Sequence, residues 1–135
     1  VRRVMPLGTP FFFLPPGKEN QEVRANLTVP ANVTLREILP HMHMLGKTMK
    51  VWATLPDGSE KKLVFIQNWD FNWQMAYRYS EPIKLPRGTK LSLVATYDNT
   101  TKNPNQPSNP PKMVTFGEQT TDEMCFAFLA FSVDN

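Results

Sequence analysis

The sequence predicts an all-β domain, a two-sheet antiparallel β-sandwich of jelly-roll type with about eight to nine strands. Three observations predict it. Apolar and polar residues alternate with period two in several runs. Thirteen prolines among 135 residues, about double ordinary usage, punctuate short β-type segments. No run carries a convincing helical period, and no segment repeats. The length fits a single domain, residues 1–135, with a sizeable core.

Taken in order, residues 1–19 hold Pro6, Pro10, Pro15, Pro16 and Gly17 and read as mostly irregular, lying against the sandwich as an edge or lead-in strand. Val23, Ala25, Leu27 and Val29 alternate with Arg24, Asn26 and Thr28, a half-buried strand ended by Pro30. The β-rich run 33–39 follows, then a strand with Met49, Val51, Ala53 and Leu55 on one face. Pro56-Asp57-Gly58-Ser59 predicts a tight turn, with residues 62–67 returning as the second arm. Residues 68–74 (Asn-Trp-Asp-Phe-Asn-Trp-Gln) read as either a packed corner or a pocket wall. A short strand over 77–80, a turn at 86–89 and an alternating strand at 91–97 come next. Residues 98–111 carry four prolines and four asparagines with almost nothing apolar, which predicts a long surface loop. Residues 113–116 re-enter structure, and an aromatic strand over 124–133 closes the chain.

Composition excludes several classes of function. Fifteen basic against twelve acidic residues give a mild, scattered +3 with no Lys/Arg run suited to nucleic acid. No apolar stretch approaches the roughly 18 residues of a membrane span. The chain opens on Val1, which reads as a processed product or a piece excised from a longer protein. The single cysteine, Cys125, gives neither an internal disulfide nor a CxxC site and is expected to be a buried, inert thiol.

Both histidines of the chain lie in Leu39-Pro40-His41-Met42-His43-Met44-Leu45-Gly46. On a strand, side chains i and i+2 share a face, so His41 and His43 can reach one metal ion from the same side. A helix would set them about 200° apart. Pro40 argues for a strand edge or interruption just before the pair. Two imidazoles leave a metal short of ligands; Cys125, the carboxylates and the seven methionines are the candidate donors. A thioether beside two imidazoles suits copper, Cu(I) above all. Met42 and Met44 alternate away from the histidines, and residue chemistry alone does not single out the third ligand.

At this point nearly the whole chain resembles the C-terminal domain of the copper type II, ascorbate-dependent monooxygenases, which include peptidylglycine α-hydroxylating monooxygenase and dopamine β-monooxygenase. His41-Met42-His43-Met44-Leu45-Gly46-Lys47 is similar to the family's His-x-His-x-x-Gly segment, and Thr121-Asp122-Glu123-Met124-Cys125 to its Asp-Glu-Met-Cys segment. Pro15-Pro16-Gly17 and its distances to both motifs also agree.

The resemblance implies one mononuclear copper held by His41, His43 and Met124, which when reduced binds O2 and hydroxylates an unactivated C–H bond. Ascorbate supplies the electrons, relayed by a second copper on a preceding three-histidine domain. With no further histidine, this chain needs another domain, another subunit or an external donor for that relay. The family cysteine at position 125 is disulfide-bonded, but its partner is absent here. The peptide-amidating members place an arginine two residues before the first histidine, and an asparagine and a tyrosine two and four residues after the methionine. Here those positions are Leu39, Phe126 and Phe128. A peptide carboxylate finds no anchor in that set, so a small, less polar substrate is expected, with these three residues as pocket candidates.

Two other functions fit the same residues. An extracytoplasmic Cu(I) carrier or electron-transfer module would also use His and Met in this pattern. A recognition domain with an incidental His pair would bind through residues 98–111 and the Trp69/Trp73 corner. Copper chemistry and the resemblance together predict an extracytoplasmic location.

Overall fold

The alternating runs build two four-stranded antiparallel sheets in the computed structural model, which describes residues 1–134. In chain order the strands are β1 (Arg2–Gly8), β2 (Phe13–Leu14), β3 (Gln21–Thr28), β4 (Val33–His41), β5 (Gly46–Thr54), β6 (Glu60–Ile66), β7 (Tyr77–Leu85), β8 (Lys90–Tyr97), β9 (Val114–Thr115) and β10 (Phe126–Val133), with a 3₁₀ turn at Phe71–Trp73. One sheet has the order β1-β10-β4-β7 and the other β3-β8-β5-β6, while β2 and β9 form a small separate pair. The count is ten, against the eight to nine expected, because β2 and β9 are only two residues each.

Each sheet turns one face to a shared core. Met49, Val51 and Ala53 of β5 and Leu91, Leu93, Ala95 and Tyr97 of β8 come from one side, Leu35, Ile38, Ala127 and Leu129 from the other. The predicted turn at 56–59 forms as expected. Gly58 sits at φ +89°, and the Asp57 carboxylate accepts from the Ser59 backbone N–H at 2.9 Å.

Two edges are more regular than expected. Residues 2–8 form the edge strand anticipated for the lead-in, pairing with β10 along their whole length, where most of residues 1–19 was read as irregular. β7 runs to Leu85, beyond the predicted 77–80, with most of its side chains exposed. As an edge strand β7 tolerates Pro82, and it has no buried face to impose an alternation. Pro40, by contrast, is buried within a central strand. Pairing of β4 with β7 stops at Ile38–Tyr77, so beyond that point β4 is an edge on one side.

Residues 98–111 form the expected loop, without strand or helix and largely exposed, but it is anchored from within. Asn99 is fully buried; its amide donates to the carbonyls of Leu14 (2.8 Å) and Lys112 (2.7 Å), and its oxygen accepts from Gln106. Asn103 is also buried and donates to the Asp98 carbonyl. The polar side chains of this segment satisfy its own backbone, which is how a stretch almost without apolar residues holds a defined path.

Cys125 is a free thiol and fully buried, as expected. Burial pushes its pKa up to about 11. The native domain at about pH 8 is therefore expected to resist a disulfide reagent such as dithiobis(nitrobenzoic acid), with one thiol released only on addition of denaturant. Fast stoichiometric labelling of the native chain would contradict this burial.

Candidate metal centre

The centre forms where the end of β4 meets the start of β10. His41 lies opposite Phe126 and Leu39 opposite Phe128. Opposed residues in an antiparallel pair point the same way, so these four side chains share one face. That face is the outer one, because a β-bulge reverses the alternation of β4. Val33 and Leu35 point into the core, but Ala130 and Phe131 pair with Glu37 and Leu35, leaving Arg36 as an extra residue. Beyond it Ile38 and Pro40 turn inward, and Glu37, Leu39 and His41 turn outward. Without the bulge, His41 would be aimed into the core.

His43 does not lie on the strand, contrary to the reading of both histidines as strand residues. β4 ends at His41 because a side chain takes over the hydrogen bonding of the backbone that follows. The Glu123 carboxylate accepts from the backbone N–H of His43 through Oε1 and of Leu45 through Oε2, both at 2.8 Å. The Trp69 indole N–H donates to the His43 carbonyl at 2.9 Å. Gly46 closes this loop, since a Cβ there would lie 2.8 Å from Met42 Sδ and 3.0 Å from Trp69 Cδ1.

Despite leaving the strand, His43 stays beside His41, with ring centroids 5.1 Å apart and planes at 80°. His43 is buried and His41 half-buried. Each Nδ1 faces an oxygen acceptor: Gln74 Oε1 at 2.7 Å from His41, and the Asp122 carbonyl at 3.0 Å from His43. A carbonyl-type oxygen only accepts, so in the neutral ring each Nδ1 carries the proton and Nε2 keeps its lone pair. Burial holds the His43 pKa below its usual value; the bond to the Asp122 carbonyl opposes this and the proximity of His41 adds to it. His43 is thus kept in the neutral form that a metal ligand requires.

Met124 is half-buried beside these groups, its backbone fixed at both ends. Its N–H donates to Glu123 Oε1 at 3.3 Å, and its carbonyl accepts from the Tyr97 hydroxyl at 2.6 Å. The adjacent Asp122 and Glu123 both bond His43, so the segment carrying Met124 is tied directly to the histidine loop.

The two imidazoles are spaced as ligands of one copper ion would be. An ion about 2 Å from both Nε2 atoms stands about 3 Å from each centroid, and a near-tetrahedral angle then separates the centroids by about 5 Å. The observed 5.1 Å meets that condition. No cluster of three or more His, Cys, Asp and Glu side chains suited to a metal occurs among the described residues. Cys125, the other soft donor considered, is sealed in the core.

Leu39, Phe126 and Phe128 share the His41 face. Phe128 lies 6.4 Å from the His41 ring, Phe126 stacks on Phe128 at 5.8 Å, and Phe116 meets Phe126 edge-on at 5.9 Å. The corner at 68–74 serves both readings given to it. Trp69 packs into the core, while Phe71 meets the His43 ring edge-on at 5.7 Å and Gln74 reaches His41.

Sequence reasoning missed Gln74, Tyr97 and Glu123 as supports of the site. An acidic residue next to a candidate ligand in an otherwise apolar closing segment was the available signal for Glu123. Gln74 and Tyr97 carried none.

Residues 4–133 match the family described as copper type II ascorbate-dependent monooxygenase, C-terminal domain. The chain belongs to this family. No curated protein matches it. Among solved structures it is similar to the infectious bursal disease virus Gt strain structure at 11% identity and TM-score 0.36, covering 98% of this chain and 33% of that one. It is likewise similar to the infectious bursal disease virus VP2 subviral particle at 12% identity and TM-score 0.39, covering 98% and 32%. The chain thus spans about a third of the length of these structures.

Glu123 is fully buried, and burial raises its pKa from 4.5 to about 7 against the opposing pull of three backbone N–H bonds. A carboxyl whose folded pKa exceeds its unfolded one contributes stability that is complete below the lower value and lost as pH rises through the upper. In the metal-free domain, the stability advantage of wild type over Glu123→Gln should therefore shrink between about pH 4.5 and about 7 and then level off. Paired thermal melts across that range check it; an advantage that grows with pH would mean the N–H bonds outweigh burial.

Proposed function

We propose that this domain of the copper type II, ascorbate-dependent monooxygenase family holds one copper through His41 Nε2, His43 Nε2 and the Met124 thioether and hydroxylates a C–H bond of a small, apolar substrate. The observation that carries the reading is the pairing of both Nδ1 atoms with oxygen acceptors, which leaves two Nε2 lone pairs on adjacent rings. The lack of a third His, Cys or carboxylate donor among the described residues favours the thioether. When bound, copper supplies O2 reduction, with R–H, O2, two electrons and two protons giving R–OH and water.

The chain's own residues do the rest. Glu123 and Trp69 keep the His43 loop rigid, and burial keeps His43 neutral. Leu39, Phe126 and Phe128 offer an apolar, aromatic surface beside His41 on which a substrate can lie. Both histidines of the chain are committed to this centre. Electrons from an ascorbate-type reductant therefore arrive through a three-histidine copper domain, another subunit or an external donor. The setting is extracytoplasmic, where copper and such reductants meet.

A second reading, a Cu(I) carrier or electron-transfer module, draws on the half-exposed position of His41 on an open sheet face. It requires rapid copper exchange without oxygen chemistry.

The chain should bind one Cu(I), and His41→Ala or His43→Ala should weaken binding beyond the roughly 10–100-fold that loss of an outer partner costs. The copper-loaded protein, given ascorbate, an electron donor able to reach the centre and an apolar aromatic substrate, should couple O2 uptake to a hydroxylated product. If it makes neither product nor peroxide while copper exchanges rapidly to a chelator, the carrier reading replaces the oxygenase.

A further inference from the structure

The two histidines are held by different means. His43 is buried, and its ring is fixed by a backbone carbonyl in a segment clamped by Glu123. His41 is half-exposed at the end of β4, and its Nδ1 is held by one side chain, Gln74, at 2.7 Å. The orientation of that amide is set from behind. Gln74 Nε2 donates to the Phe71 carbonyl at 3.1 Å, which presents Oε1 to the imidazole. The 3₁₀ turn beneath is also secured: Asp70 accepts from the Asn72 N–H at 2.9 Å, and the Trp73 N–H donates to the Asp70 carbonyl at 3.0 Å. Trp69, at the base of the same corner, bonds the His43 carbonyl. One corner of chain thus reaches both histidines.

We propose that Gln74 is the positioning residue for His41, fixing the Nδ1–H tautomer and the ring orientation that present Nε2 to the metal. The proposal rests on the copper reading above. A free neutral imidazole favours the opposite tautomer, with the proton on Nε2, which blocks the metal-binding nitrogen. An acceptor locked in front of Nδ1 reverses that preference before any ion arrives. The Asp122 carbonyl does the same for His43, but as backbone it cannot be altered by side-chain replacement. Gln74 is therefore where ligand geometry depends on a single replaceable group. Its exposed position means that replacement leaves the core intact.

The test compares wild type, Gln74→Ala and Gln74→Glu in the ¹⁵N-labelled metal-free domain, reading the imidazole nitrogens by NMR at about pH 8, where neutral rings prevail. Wild type should show His41 as the Nδ1–H tautomer. Gln74→Ala should move His41 to Nε2–H while His43 remains Nδ1–H, and the unchanged His43 signal reports an intact fold. Gln74→Glu, whose carboxylate also accepts, should restore the Nδ1–H form. In Cu(I) competition, Gln74→Ala should bind on the order of 10–100-fold more weakly and Gln74→Glu close to wild type. An unchanged His41 tautomer and unchanged copper affinity in Gln74→Ala would overturn the proposal, as would equal losses in both variants. A wild-type domain with the expected tautomers but no Cu(I) binding would overturn the copper reading, while supporting the Gln74–His41 pairing.

Discussion

A single buried carboxylate holds the two halves of the centre together. Glu123 is fully buried, has no cationic partner among the described residues and bonds the backbone N–H groups of His43, Leu45 and Met124. Those donors belong to segments some eighty residues apart in sequence. A carboxylate in such a place is costly unless several donors satisfy it. Once satisfied, it fixes donors and acceptor together, since loss of either side leaves buried polar groups unpaired at about 1–3 kcal/mol each. The same carboxylate ends β4, shapes the loop bearing His43 and sets Met124 next to it. Tyr97, from the opposite sheet, secures the Met124 carbonyl and so anchors the centre to the core.

The second constraint is the bulge at Arg36. It adds one residue to β4 and thereby moves Leu39 and His41 from the core face to the outer face, where they meet Phe128 and Phe126 of β10. A metal ligand in the core would be inaccessible to a second substrate or a reductant. On the outer face it lies among half-buried aromatic rings, reachable yet largely apolar. The sandwich thus keeps an apolar interior and turns the reversed end of one central strand, with the candidate ligand His41, to its outer face.

Much of this was legible in the sequence, and the remainder failed for definite reasons. The core strands announced themselves because period-two alternation directly reports one buried face, as in Leu91, Leu93, Ala95 and Tyr97. β1 and β7 lie at sheet edges with mostly exposed side chains, so no such pattern marks their extent. The adjacent polar pair Arg36-Glu37 between Leu35 and Ile38 was the one trace of the bulge, and it shifts the face of everything after it. The His pair was recognised from spacing, but the strand geometry invoked for it holds only as far as His41. Its supports, Gln74 and Tyr97, arrive from distant segments through tertiary contacts that no local pattern encodes.

The central claim is that two imidazoles and one thioether meet on the same ion. X-ray absorption of the Cu(I)-loaded domain tests it most directly, because sulfur and nitrogen scatter differently in the first coordination sphere. Two imidazole shells and one sulfur shell are expected, with the sulfur lost in Met124→Leu and the imidazoles retained. A spectrum without sulfur, or one whose sulfur survives that substitution, would contradict it.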